Sequence, residues 1–189
     1  SPGFARMQGI FNYMAVASLT MFACIAQSLV MINGRIGFDL SIGALMSVGA
    51  AWGASLSGGT DMGVIWSVLA MGGIGAFCGL VSGTCVKILN MPPMVVTMSI
   101  GSLVGGGYMA ITRGQVAGTQ ADLFKTIGTG TAFWYIRWVL LIAVAVIVII
   151  ELVLRRTKYG KSLFLVGTNE HAAGLCGIKT TRVFILTYM

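Results

Sequence analysis

Charge is what this sequence has least of. Only 9% of its 189 residues are Asp, Glu, Lys or Arg, against about 25% in soluble domains. With 57% of residues hydrophobic and a mean hydropathy of +0.91, the composition excludes a soluble domain and leaves an integral membrane protein. Histidine is nearly absent: His171 is the only one. A Ser-His-Asp set and an HExxH helix are missing with it, and there is no G-x-x-x-x-G-K-[ST] loop to cradle phosphates. The chain therefore reads as no enzyme, and it cannot hydrolyse ATP itself. The four cysteines are Cys24, Cys78, Cys85 and Cys176. They form no CxxC and no zinc spacing with His171, so no metal or other cofactor is implied. Cys78 and Cys85 share a helix face and read as packing residues.

What is there is a series of long apolar runs. A membrane helix needs roughly 20 mostly apolar residues. Runs of that kind cover 10–32, 40–57, 63–86, 94–112 and 133–154, and a sixth begins near Val183. The spacing predicts an all-α polytopic bundle of about five full spans plus the start of a sixth. Small residues recur four apart: Gly75, Gly79 and Gly83 on the third run, Gly43, Ser47, Ala51 and Ser55 on the second, Gly101 and Gly105 on the fourth. Such faces let backbones approach closely, which stands in for the hydrophobic drive that lipid does not supply. There is no signal-peptide pattern, because the chain starts SPGFARMQG. It stops at Met189 inside an apolar run, so 1–189 reads as a single domain, a fragment cut at the far end and at the front.

The net charge of +7 would point to nucleic acid in a soluble protein. Here the basic residues lie beside apolar runs, so they orient the chain and meet anionic lipid heads, with no nucleic-acid role. Six of the 12 Lys and Arg fall within 155–182: Arg155, Arg156, Lys158, Lys161, Lys179 and Arg182. That cluster marks the cytoplasmic face. Counting back through the runs places 114–132 outside, 87–93 inside, 58–62 outside and 33–39 inside. Arg35 and Lys87 on the short inner loops fit, as does Asp61 on the outer one. Arg6, Arg113 and Lys125 run against it. An outer N-terminus also implies a further helix upstream.

Within 155–182 lies a small helix pattern. Asn169 can cap it through its side-chain oxygen. Glu170 falls in the first turn, where the helix dipole favours an acid. Gly177 can close it in the left-handed conformation. The body, His171 to Cys176, is too short to stand alone in water. It either folds back on its own chain or docks into a partner protein.

Few polar features interrupt the runs. Between the first two, Asn33, Gly34 and Gly37 break the helix. Broken backbone at membrane depth is tolerated where it is buried in protein or lines a watery cavity. Asp39 either caps the second helix, with Arg35 paired to it, or lies beside a pathway with Asn33 and Ser41. Pro92 and Pro93 open the fourth run, because proline suits the first helical turn. Thr97 and Ser99 follow one turn in, back-bonded to helix carbonyls or facing a polar path. Glu151 and Arg155 are placed for a helix ion pair.

Three segments carry a family likeness. GRIGFDLSIGALMSVGA is similar to a GGIDLSVGS-like segment, with Arg35 and Phe38 as departures. GLVSGTCVKILNMPPMVVTMSIGSLVGGGYMAITRG is similar to a G-x-x-N-G … P-P-F-I-x-T-L segment, with Ser82 and Met94 as departures. YGKSLFLVGTNEHAAGLCGIKTTRV is similar to a cytoplasmic loop F-G-R-x-x-x-A-x-G-x-N-x-x-A-A-x-x-x-G-I, matched at Asn169, Ala172, Ala173, Gly177 and Ile178 and departed from at His171 and Gly174. In order and spacing the chain resembles the membrane permease subunits of ribose and simple-sugar ABC importers, which are related to branched-chain amino acid permeases.

The resemblance implies a channel half that pairs with a second permease subunit in the bacterial inner membrane. A periplasmic substrate-binding protein would deliver a monosaccharide, and a separate ATP-binding cassette ATPase subunit would drive transport. Residues Asn169, Glu170, Ala172, Ala173, Gly177 and Ile178 would form the cytoplasmic coupling helix that the ATPase grips. Asn33, Asp39, Ser41 and Thr97 are the candidates for the substrate path. Branched-chain amino acids or nucleosides are the alternative cargo. A stand-alone small-solute channel is a rival reading that asks for polar stripes on several spans, and the sequence has few. A scaffold without transport is another.

Overall fold

The computed structural model describes residues 7–34, 37–115, 121–133 and 135–189, without the side chains of 7 and 8. Arg35, and with it the expected pairing to Asp39, lies outside them. Charge-free runs fold as helices because lipid offers no hydrogen bonds, so each backbone group must be paired within its own segment. Four helices are long and apolar enough to cross a membrane: α1 (Met7–Ile32), α3 (Asp61–Lys87), α4 (Pro93–Thr112) and α6 (Trp138–Arg156). Pro93 occupies the first turn of α4. Thr60 caps α3, its hydroxyl accepting from the Gly63 N–H at 3.1 Å.

The second run departs from the expected full span. It folds as α2 (Ile42–Leu56), only 15 residues long. At 1.5 Å per residue that is about 22 Å, short of a hydrocarbon core of about 30 Å. The missing length is extended backbone at 37–40, which leads into α2 from between α1 and α4. The fifth span also starts later than the sequence predicts. Phe133 belongs to a small antiparallel hairpin, β1 (Thr131–Phe133) against β2 (Ile136–Arg137). Tyr135 within it stacks on Phe11 of α1, with ring centroids 6.1 Å apart. The loop before it holds a short helix, α5 (Asp122–Thr129). Among the described residues the regular structure is therefore helical apart from this hairpin.

Side-chain contacts sort the helix ends into two groups. At one end Arg137 Nη2 donates to Asn12 Oδ1 at 2.8 Å, and the Leu123 N–H donates to Asp61 Oδ1 at 3.2 Å. At the other, Asn33 Nδ2 donates to the Phe184 carbonyl at 3.3 Å and Lys87 pairs with Glu170. The grouping is the one that counting the runs assigns to outer and inner faces.

Beyond α6 the chain turns through α7 (Lys158–Thr168), α8 (Glu170–Leu175) and α9 (Thr180–Tyr188). Helix α7 is absent from the sequence reading, which treats 155–168 as loop. Thr157 caps it, accepting from the Gly160 N–H at 3.2 Å. Gly160, Leu163 and Val166, three apart, form its buried face. Leu163 and Val166 join Leu154, Ala173 and Val183 in an inner-end core.

Small-residue packing is selective. Gly79 meets the backbone of Tyr188 so closely that a Cβ there would overlap the Tyr188 carbonyl. A Cβ on Gly83 would sit 3.1 Å from Ile185 Cα. The start of the sixth run thus lies on the glycine face of α3. A Cβ on Gly101 would reach 3.4 Å from Ala44 Cβ, which places the start of α2 against α4. Gly43, Gly75 and Gly105 have no such neighbour among the described residues.

Candidate functional site

Helix α8 is closed at both ends by its own residues. Asn169 Oδ1 accepts the Ala172 N–H at 3.0 Å, satisfying one orphan donor of the first turn. At the far end the Gly177 N–H donates to the Gly174 carbonyl at 2.9 Å and the Ile178 N–H to the Ala173 carbonyl at 3.1 Å. Gly177 permits this with φ +79°. These two bonds form a Schellman closure, and Ile178 and Ala173 pack on the same inner core, its usual apolar companion.

The two alternatives for this helix divide between its faces. Ala173, 4% exposed, folds back onto Leu154, Leu163, Val166 and Val183. His171, Ala172, Gly174 and Leu175 face outward. Leu175 is 91% exposed, the barest large apolar side chain among the described residues. An open hollow of about 490 Å³ runs past Glu170, His171, Gly174, Leu175 and Thr180. Sequence reasoning passed over Leu175. Its signal was there: it is the one large apolar residue in a six-residue helix.

Glu170 is held from across the bundle. Its carboxylate pairs with Lys87 at the C-terminus of α3. The Lys87 ammonium also lies 5.3 Å from the centroid of the Phe184 ring on α9. Farther along, Tyr159 Oη and Thr187 Oγ1 lie 2.9 Å apart, joining α7 to α9. Burial pushes the Tyr159 phenol up from its ordinary range, and the Thr187 hydrogen bond opposes this only partly.

Three of the path candidates, Asp39, Ser41 and Thr97, meet where α2 begins, and Asp39 and Thr97 bond to backbone there, whereas Asn33 bonds to the Phe184 carbonyl on α9. Asp39 Oδ1 accepts the Ser41 N–H at 2.8 Å and the Ser41 hydroxyl at 2.6 Å, an Asx turn into α2. The Asp39 N–H donates to Gln27 Oε1 on α1 at 3.3 Å. The Leu40 N–H donates to Thr97 Oγ1 on α4 at 3.1 Å, and the Thr97 hydroxyl back-bonds to the Pro93 carbonyl at 2.9 Å. Three successive amides of the broken stretch are thereby paired in turn, as backbone at membrane depth requires. Ser41 and Thr97 are fully enclosed, and Asn33 is buried with its Oδ1 unpartnered.

Asp39 lines a cavity of about 390 Å³ bordered also by Met46, Gly75, Thr187 and Tyr188. Gln27, which sequence reasoning did not single out, keeps its Nε2 buried without a partner. Its signal is a carboxamide inside an otherwise apolar run.

Residues 9–189 match the family model for the branched-chain amino acid transport system permease component. The chain belongs to that permease family. It is a multi-pass protein of the inner membrane. The permease chain is 28% identical over 198 residues to the ribose import permease protein RbsC of Escherichia coli (strain K12), covering 100% of this chain and 59% of that protein. It is 30% identical over 176 residues to the fructose import permease protein FruF of Bifidobacterium longum, covering 88% of this chain and 48% of that protein. It is 30% identical over 166 residues to the galactofuranose transporter permease protein YtfT of Escherichia coli (strain K12), covering 87% and 47%. The chain thus spans about half the length of these curated relatives. No solved structure matches it.

Proposed function

We propose that the chain is part of the membrane-spanning permease subunit of an ATP-binding cassette importer for a monosaccharide. Relatives named for ribose, fructose and galactofuranose import support the cargo class. In this reading a periplasmic binding protein delivers the sugar, a second permease subunit completes the channel, and a separate ATPase subunit supplies the energy. On the same reading Asp39, Ser41 and Thr97 shape the path by holding the broken entry to α2, Asn33 borders it from the end of α1, and Asp39 faces a cavity.

The observation that carries the proposal is α8. A two-turn helix capped at both ends presents Leu175, 91% exposed, on the side away from the bundle. A bare leucine on the aqueous side of a membrane fits the apolar centre of a partner interface. Residues 169–178 set its shape: Asn169 and Gly177 close the helix, Ala173 and Ile178 root it, Glu170 ties it to α3, and Ala172 shares the outer face. The test is recovery of the ATPase subunit with the purified permease. Leu175→Asp should abolish it while the permease still inserts and elutes as before. Undiminished recovery would overturn the docking role. Uptake of labelled ribose, fructose and leucine in the same membranes separates sugar from amino-acid cargo.

A further inference from the structure

Lys87 is an enclosed cation at the inner end. Its side chain is 9% exposed although it terminates a membrane-spanning helix. Lysines in that position ordinarily extend their heads to water. This one turns instead to Glu170 on α8 and to the face of Phe184 on α9. Three elements converge on one ammonium.

Two other ion pairs among the described residues are of a different kind. Glu151–Arg155 and Asp122–Lys125 each lie within a single helix and stand open to solvent. They join nothing to anything else. Lys87 and Glu170 are 83 residues apart and link a spanning helix to the short helix beyond it. A charge pair shielded from water attracts more strongly than one in bulk solvent, and removing one partner strands the other. Helix α3 is in turn seated on α9 through Gly79 and Gly83. Displacing α8 therefore either carries α3 and α9 with it or breaks the pair.

We propose that Lys87 is a positioning residue for transport, transmitting movement of α8 to the spanning helix α3, and to α9 packed on it, through its pair with Glu170. This rests on the docking role proposed for α8. The experiment uses the complete importer in proteoliposomes with an uptake substrate established for it, and reads three quantities: recovery of the ATPase subunit, ATP hydrolysis, and sugar imported per ATP hydrolysed. Lys87→Met keeps the aliphatic stem and removes the charge, and Glu170→Gln does the same for the partner. Lys87→Met should leave ATPase recovery intact and lower sugar imported per ATP by about tenfold, within the usual range of coupling between sites. Glu170→Gln, on the docking helix itself, should lower the same ratio, read on the ATPase that is recovered. The exchanged pair Lys87→Glu with Glu170→Lys should restore most of the loss.

Unchanged import per ATP in either single variant, with recovery intact, would overturn the inference and leave the docking role standing. Loss of recovery in the single variants that the exchanged pair does not restore would also overturn it, by making Lys87 a structural residue. Failure of the docking role itself shows separately, as undiminished recovery in Leu175→Asp.

Discussion

Gly34 and Gly167 meet backbone to backbone where α1 ends and α7 passes beneath it. A Cβ on Gly34 would overlap the Gly167 carbonyl, and one on Gly167 would overlap the carbonyl of Ile32. Gly34 also holds φ +85°, open to glycine without strain. The contact fastens the inner-end layer to the foot of the first span. Gly167→Ala should therefore cost about 1–3 kcal/mol, the usual penalty for overpacking, read as a lower melting temperature in detergent. Gly72→Ala, with no neighbour within 4 Å among the described residues, is the control and should leave that temperature unchanged or raised, since Ala favours the helix.

Thr97 is an enclosed hinge pin. Its oxygen takes the Leu40 N–H and gives its own proton to Pro93. Thr97→Val keeps the shape and strands the buried amide, so a loss of about 1–3 kcal/mol is expected. Thr97→Ser should recover most of it. Equal melting temperatures for the Val and Ser variants would show that the hydroxyl is not what holds the entry to α2.

Tyr159 gives a pH dependence with a defined sign. Burial raises its folded value above the ordinary 10.0. The stability this contributes is fully present below the unfolded value and is lost as pH rises through the folded one. Melting temperature measured across the alkaline range should fall for the native chain above about pH 10, the unperturbed tyrosine value. Tyr159→Phe should start lower, having lost the bond to Thr187, and decline less steeply.

Cys176 caps the C-terminus of α8 and is exposed. A membrane-impermeant thiol reagent should reach it in inverted vesicles and not in intact cells. Cys78 is buried and serves as the internal negative. Labelling of Cys176 in intact cells would reverse the assigned orientation.

Charge-free runs bounded by charged or helix-breaking residues made the long helices readable, because lipid leaves a backbone no alternative to helix. The closures of α8 were readable for a similar reason: Asn169 and Gly177 act on residues three or four away. Helix α7 was hidden because its lysines and its Leu163–Val166 face look like a basic loop until Leu154 and Val183 are placed against it. The shortness of α2 was hidden too, since Leu40 and Ser41 carry no charge to end the run, and only the bonds of Leu40 to Thr97 and of Ser41 to Asp39 show that they are tethered instead. Lys87 looked like an ordinary inner-loop cation, its partner lying 83 residues away.

The amides of Asp39, Leu40 and Ser41 are each moored to something different: α1, α4 and the turn's own carboxylate. An axial slip of α2 past its neighbours would cast the first two adrift in the same instant, while the third, internal to the turn, would travel with the helix. The half-length helix is thus geared at its entry to α1 and α4 and packs along α3 as well, so sliding α2 on its own would strand two amides before it opened any space near Asp39.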